Sequence, residues 1–199
     1  MRSLYDFIIE PIGDRYKNTK QIGDKELILN TEIFNHQYVN REAKVLALPI
    51  LIKTNVQVGD TVIVHHNVFR RWHNIRGEEK NSASFIKENL YAISLDQIYL
   101  YKRNKTWITP PKYCFIKPIK SIDKFNIGTE QPLMGIMKYN NNELPGVNIG
   151  DLIGFTPDSE YEFIIDGERL YRVLINDISI KYEYKGQEEE YNPSWLQSG

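Results

Sequence analysis

The sequence predicts an all-β protein made of two tandem small β domains, sandwiches or barrels, and three observations carry that prediction. First, Val147-Asn-Ile-Gly-Asp-Leu-Ile-Gly-Phe155 repeats Val56-Gln-Val-Gly-Asp-Thr-Val-Ile-Val64. Second, each copy follows an aromatic-apolar-proline strand (residues 7–12 and 115–119) and ends in an apolar strand with a polar start (96–101 and 176–180). Three landmarks matched in the same order indicate a tandem duplication, each copy being one structural unit. Third, long helical periodicity is absent, while Ile, Val, Tyr and Phe alternate with polar residues in short runs bounded by turn residues, the pattern of small β domains.

Taken in order, residues 7–12 open the first domain, placed at 1–104. Val56, Val58, Val62 and Val64 share one parity around Gly59-Asp60, which predicts a half-buried strand pair joined at that turn. Glycine there supplies positive φ, and the aspartate can bond back to the backbone. Residues 65–84 read as an inserted hairpin, and 96–101 as the closing strand. Polar, then proline-stiffened residues 102–111 form a linker to the second domain at 110–184. There, Asp166-Gly167 is a two-residue hairpin turn feeding the apolar run 170–175. Residues 185–199 are an acidic C-terminal tail in which Trp195 is the one candidate for docking on a neighbour.

The copies differ in length. The offset between them falls from 107 (Pro11 to Pro118) to 91 (Gly59 to Gly150) to 80 (Ile98 to Ile178), so the second copy is shorter by 16 and then by 11 positions. The first copy therefore carries two long segments, 14–42 and 65–84, and such tolerated insertions are where functional loops are sought.

With 41% hydrophobic and 26% charged residues the chain has the composition of a soluble globular protein, and its net charge of −1 provides no field toward nucleic acid or membrane. The single cysteine, Cys114, cannot form an internal disulfide and is expected to be buried packing. No apolar run approaches the ~20 residues of a membrane span, and Asp6 and Glu10 interrupt the N-terminal stretch where a signal peptide would be apolar. The expectation is a cytoplasmic protein.

These motifs resemble the chaperonin-10, or GroES, co-chaperonin family. The second half carries the resemblance best: 147–155 as the V-x-V-G-D strand, 161–168 as the I-D-G-E hairpin, 170–180 as the closing strand. In the first half, 7–12, 56–64 and 90–100 are similar to the opening strand, the V-x-V-G-D strand and the closing pair. Together they cover about three quarters of the chain. The resemblance implies two tandem GroES-like small β-barrels, a homo-oligomeric ring, and a GroEL-type chaperonin and an unfolded client protein as partners. It also implies a long mobile loop after the first strand, here 14–42, whose apolar tripeptide Leu27, Ile28 and Leu29 binds the chaperonin, followed by Lys44-Val-Leu-Ala47. One such contact is weak, about 1.5–3 kcal/mol per buried aliphatic side chain before ordering costs. A ring of identical loops multiplies it and still permits release.

The chain also departs from the family. Only residues 46–55 and 138–146 stand where roof hairpins close the bacterial dome, which implies an open-topped ring of the kind associated with virus-encoded members. The richness in Asn, Lys, Ile and Tyr would suit an AT-rich genome, with action in the host cytoplasm. Residues 120–133 lack an apolar tripeptide, leaving one chaperonin contact per chain. Ring closure by the N- and C-terminal strands of neighbours points to residues 7–12 with 178–181, or 97–102 with 113–119.

Other constellations carry less. His65, His66 and His73 suggest a metal, but His65 and His66 on an extended strand point to opposite faces, so no metal site is expected. Arg70, Arg71, Arg76 and Lys80 with Phe69 and Trp72 have the makings of a nucleic-acid surface, against which Glu78, Glu79 and the neutral balance weigh. No nucleophile elbow, phosphate-binding glycine loop or zinc-protease motif occurs, so neither catalysis nor a cofactor is expected. The competing reading is a structural or adaptor protein, such as a virion component, that reuses the duplicated fold without binding a chaperonin.

Overall fold

The structure is a computed structural model describing residues 3–16, 19–22, 25–28, 39–121, 129–141, 143–183 and 191, with 19–22 and 25–28 as backbone. In chain order the strands are β1 (Phe7–Pro11), β2 (Thr19–Ile22), β3 (Lys25–Ile28), β4 (Glu42–Ala47), β5 (Thr61–Val64), β6 (Arg71–His73), β7 (Glu79–Asn81), β8 (Phe85–Lys87), β9 (Leu90–Ile93), β10 (Ile98–Arg103), β11 (Thr106–Ile108), β12 (Tyr113–Lys120), β13 (Glu130–Tyr139), β14 (Leu152–Phe155), β15 (Tyr161–Ile165), β16 (Glu168–Leu174) and β17 (Ile178–Tyr182). Among the described residues the protein is all-β, with one-turn 3-10 segments only, and no helix is long and apolar enough to cross a membrane. Two compact units divide the chain at Met1–Thr106 and Trp107–Gly199, a boundary inside the expected linker.

The duplication extends to strand order and register. Within the first unit the strand order is β8-β9-β1-β4-β5-β10, and within the second it is β15-β16-β12-β13-β14-β17. Six strands thus take the same places. Ile9 faces Tyr91 on one side and Val45 on the other; Ile116, 107 positions on, faces Tyr171 and Met137. The glycine-aspartate turns are superposable in their bonds. Gly59 donates to the Val45 carbonyl at 2.8 Å, and the Asp60 carboxylate accepts from Gln57 N at 2.8 Å. Gly150 and Asp151 repeat this with Met137 (2.8 Å) and Asn148 (2.7 Å), and both glycines sit at φ 92°. Each aspartate is then locked by a cation near the chain's end of that unit, Arg103 at 2.7 Å from Asp60 and Lys181 at 2.6 Å from Asp151. Bonds from Asn148 and Lys181 hold the Asp151 carboxyl below its usual range. Asp166 and Gly167 are both at positive φ, as a two-residue hairpin turn of this hand requires.

Three expectations need correction. Residues 56–60 are a turn rather than the first arm of a strand pair: Val56 is buried but Val58 is 60% exposed, at the tip of a turn in which Gln57 N–H bonds the Asp60 carboxylate. The sheets are open ladders rather than closed barrels. In the second unit the sheet curls enough to bring Phe155 of β14 within 6.3 Å of Tyr171 of β16, although strands three apart would lie ~14 Å from each other when flat. The remaining seam is filled by side chains, Ile175 and Ile178 packing on the Cys114, Met137 and Ile153 core, and among the described residues the edge strands β15 and β17 do not pair with each other. Finally, residues 7–12 and 113–119 cannot close a ring by strand pairing. Strands β1 and β12 are central and already bonded on both sides, and β12 is buried from Tyr113 to Ile119.

That continuous burial means both faces of the central strands are covered. On the outer face of the second unit, Phe115 stacks edge-on against Tyr139 (6.3 Å) and Phe163 (5.8 Å). Cys114 is fully buried as expected, and burial pushes its thiol up to about 12. Beside this core lies a buried polar network. Arg169 donates to Glu162 at 2.8 Å and to Glu130 at 2.7 Å, and it also bonds the Tyr171 hydroxyl, which donates to Glu130 at 2.9 Å. Burial raises the Tyr171 pKa, and the bond to Glu130 adds to it. Of the tail, Tyr191 is described: its N–H donates to the Pro118 carbonyl at 2.9 Å and its ring covers the Arg169 guanidinium at 5.4 Å. Trp195 lies outside the described residues.

Candidate functional site

The two segments that only the first copy keeps long, 14–42 and 65–84, meet at one place, the neck of the 14–42 loop. The loop leaves β1 and returns to β4 across an antiparallel bridge between Tyr16 and Val39, both buried. Beneath the bridge Asn40, fully buried, acts as a clamp. Its amide donates to the carbonyls of Ile12 (2.8 Å) and Asp14 (2.9 Å), its side-chain oxygen accepts from Glu42 N (3.0 Å), and its own N–H donates to Arg15 O (2.8 Å). Asparagine suits this position because one side chain offers two donors and an acceptor to backbone groups that the diverging strands leave unpaired.

Above the clamp the 65–84 insertion fastens the outgoing chain. The Arg15 guanidinium donates to the Phe69 carbonyl from Nε (3.2 Å) and Nη2 (3.0 Å), and to Asn81 from Nη1 (2.8 Å). Its face rests on the rings of Phe85 (5.7 Å) and Tyr91 (5.5 Å). The Tyr16 hydroxyl accepts from Arg71 N at 2.8 Å while the Arg71 guanidinium lies 5.1 Å over the Tyr16 ring. Phe69 is fully buried and meets Tyr91 edge-on at 4.7 Å. Burial lowers the Arg15 pKa, with Tyr91 opposing and Arg71 reinforcing that shift. Replacing Asn40 with alanine orphans several of these backbone groups and is expected to cost about 1–3 kcal/mol. Urea unfolding of the first unit measures it, and an unchanged midpoint would mean that water takes over the clamp.

Beyond the neck, β2 and β3 pair with each other as a separate two-stranded sheet, Lys20 facing Leu27 and Thr19 facing Ile28. Of the three expected chaperonin-binding residues, Leu27 and Ile28 therefore lie on β3, and Leu29 falls outside the described residues. The corresponding loop of the second unit, at 122–128, is also outside them.

The insertion itself is a hairpin, β6–β7, capped by Asn74, whose side-chain oxygen accepts from Arg76 N (2.9 Å) and Glu78 N (3.0 Å). His65 and His66 do not point to opposite faces, contrary to the extended-strand expectation. Residues 66–69 turn, Asn67 N donates to His65 Nδ1 at 3.0 Å, and the two rings stack at 4.3 Å. The basic-aromatic set is dispersed. Phe69 is core, Arg71 binds Glu79 at 3.2 Å and Lys80 binds Glu78 at 3.1 Å.

Arg15, Tyr16, Asn40 and Asn81 were not distinguishable in the sequence. Their partners lie 54, 55, 28 and 66 positions away, and no local spacing marks such contacts. No family model matches the chain, and no curated protein matches it.

Proposed function

We propose that this protein is a non-enzymatic co-chaperonin of the GroES kind, which assembles into a ring and caps a GroEL-type chaperonin so that an unfolded client folds beneath it. The carrying observation is the duplicated six-strand order with a single long loop leaving β1 through a built neck, its hairpin forming a sheet apart from the main one. Leu27, Ile28 and Leu29 are the proposed chaperonin anchor. Where a roof hairpin would rise, at 46–55 and 138–146, the described residues hold no strand beyond the ends of β4 at Ala47 and β13 at Tyr139, which supports an open-topped ring. With β1 and β12 internal, ring contacts fall to edge strands such as β17, which is largely exposed.

The neck also gives a reason to keep the rival in view. Arg15 and Tyr16 fasten the loop's base to the insertion, and a structural or adaptor protein would want that segment fixed. Nucleotide-dependent capture on a GroEL-type chaperonin separates the two. The wild type is expected to bind in the presence of ATP or ADP, and the Leu27→Ser, Ile28→Ser, Leu29→Ser triple variant to lose binding while melting at an unchanged temperature. Failure of the wild type to bind under any nucleotide condition would remove the co-chaperonin reading.

A further inference from the structure

A cavity of about 660 Å³ opens between the loop neck, the β6–β7 hairpin and the turn joining β8 to β9. Two polar atoms of its lining residues are buried without a hydrogen-bond partner among the described residues, the Tyr91 hydroxyl and Arg71 Nε, and Tyr91 as a whole is fully buried. Buried polar groups in folded proteins are nearly always paired, so a double exception in one cavity points to something that pairs them. Arg71 Nε–H can only donate, so the missing partner is an acceptor, and a tyrosine hydroxyl can donate to the same group. Arg15 keeps two of its five N–H groups after its three bonds to Phe69 and Asn81. The Arg71 Nε–H and the Tyr91 hydroxyl, both on the lining of one cavity, call for an acceptor with two oxygens to share, which a carboxylate supplies.

The mouth has the opposite sign. Asp14, Glu79 and Glu88 line it and are exposed, Glu79 already holding Arg71 Nη1 through both oxygens at 3.2 and 3.3 Å. Three carboxylates at the entrance oppose a dianion such as phosphate and favour a ligand that brings its own cation. We infer that the cavity binds a small zwitterion of the basic amino-acid type. The ligand's carboxylate accepts from Arg71 Nε and the Tyr91 hydroxyl, and its cationic group lies among Asp14, Glu79 and Glu88. This site is independent of the chaperonin anchor, so the triple serine variant of the loop retains it.

Calorimetric titration of the full chain with L-lysine, acetate and inorganic phosphate tests the inference. L-lysine is expected to bind saturably at one site and more tightly than either anion. Tyr91→Phe, which removes only the hydroxyl, is expected to weaken lysine about three- to ten-fold with the fold intact by circular dichroism. Arg71→Gln, on the exposed hairpin, should weaken it at least as much. Absence of saturable binding by lysine, equal binding by acetate or phosphate, or an affinity unchanged in Tyr91→Phe would each overturn it.

Discussion

Replacing Arg169 with alanine is expected to destabilise the second unit by about 3–5 kcal/mol, the range seen when one partner of a buried ion pair is removed. Arg169 and Glu162 are nearly inaccessible, with side-chain exposures of 4% and 1%. The guanidinium satisfies Glu162, Glu130 and Tyr171 at once. Without it two carboxylates remain side by side in the core edge with one phenol between them, and the Tyr171 and Tyr191 rings lose the cation they flank. Lysine would restore the charge but not the fork, so Arg169→Lys is expected to recover only part of the loss. Urea unfolding followed by circular dichroism measures both variants. A shift below ~1 kcal/mol for Arg169→Ala would place the network in the class of solvent-compensated pairs.

The second large effect is expected at Gly135. It pairs with Pro118 across β12 and β13, next to register irregularities in the same ladder. A methyl group there would stand 2.5 Å from the Lys117 carbonyl oxygen and 2.5 Å from Ile116 Cγ2. The carbonyl belongs to the central strand β12, where Lys117 is paired with Ile136 of β13, so backbone rather than a flexible side chain meets the methyl. Gly135→Ala is therefore expected to cost at least the ~1–3 kcal/mol typical of overpacking, with the melting temperature of the second unit as the readout. Gly154→Ala is the matched control. Its added Cβ would lie 3.1 Å from the ring edge of Tyr182, a partly exposed side chain that can turn aside, so the expected change is under about 1 kcal/mol. Equal effects at the two positions would mean that β12 shifts more freely than its pairing with β13 allows.

The fold was readable in the sequence wherever a local motif carries its own geometry. Gly59-Asp60 and Gly150-Asp151 announce a turn because glycine takes positive φ and aspartate bonds back to the chain, and both turns have the same bonds. The spacing of prolines, glycine-aspartate pairs and closing isoleucines then gave the correspondence of copies, which the Ile9–Tyr91 and Ile116–Tyr171 registers repeat. What stayed hidden depends on contacts across the chain. Val58 shares parity with buried valines yet faces solvent, at the tip of the Asp60 turn. His65 and His66 stack because the chain turns immediately after them. Sheet closure could not be read either, since the choice between backbone bonds and a side-chain seam rests on how far Ile175 and Ile178 reach. The loop neck is the clearest case: Arg15 meets Phe69 and Asn81 across 54 and 66 positions of chain. The anchor triplet rests on resemblance to a family, and of it Leu27 and Ile28 lie on β3.

Cryo-electron microscopy of the protein mixed with a GroEL-type chaperonin and ADP tests the co-chaperonin proposal most directly. The expected image is a ring of this protein seated on the apical end of the chaperonin, with a connection from the 14–42 loop of each protomer into the apical domains and an opening at the top. Bare chaperonin beside separate particles of this protein, at concentrations where both are in excess of micromolar, would contradict it.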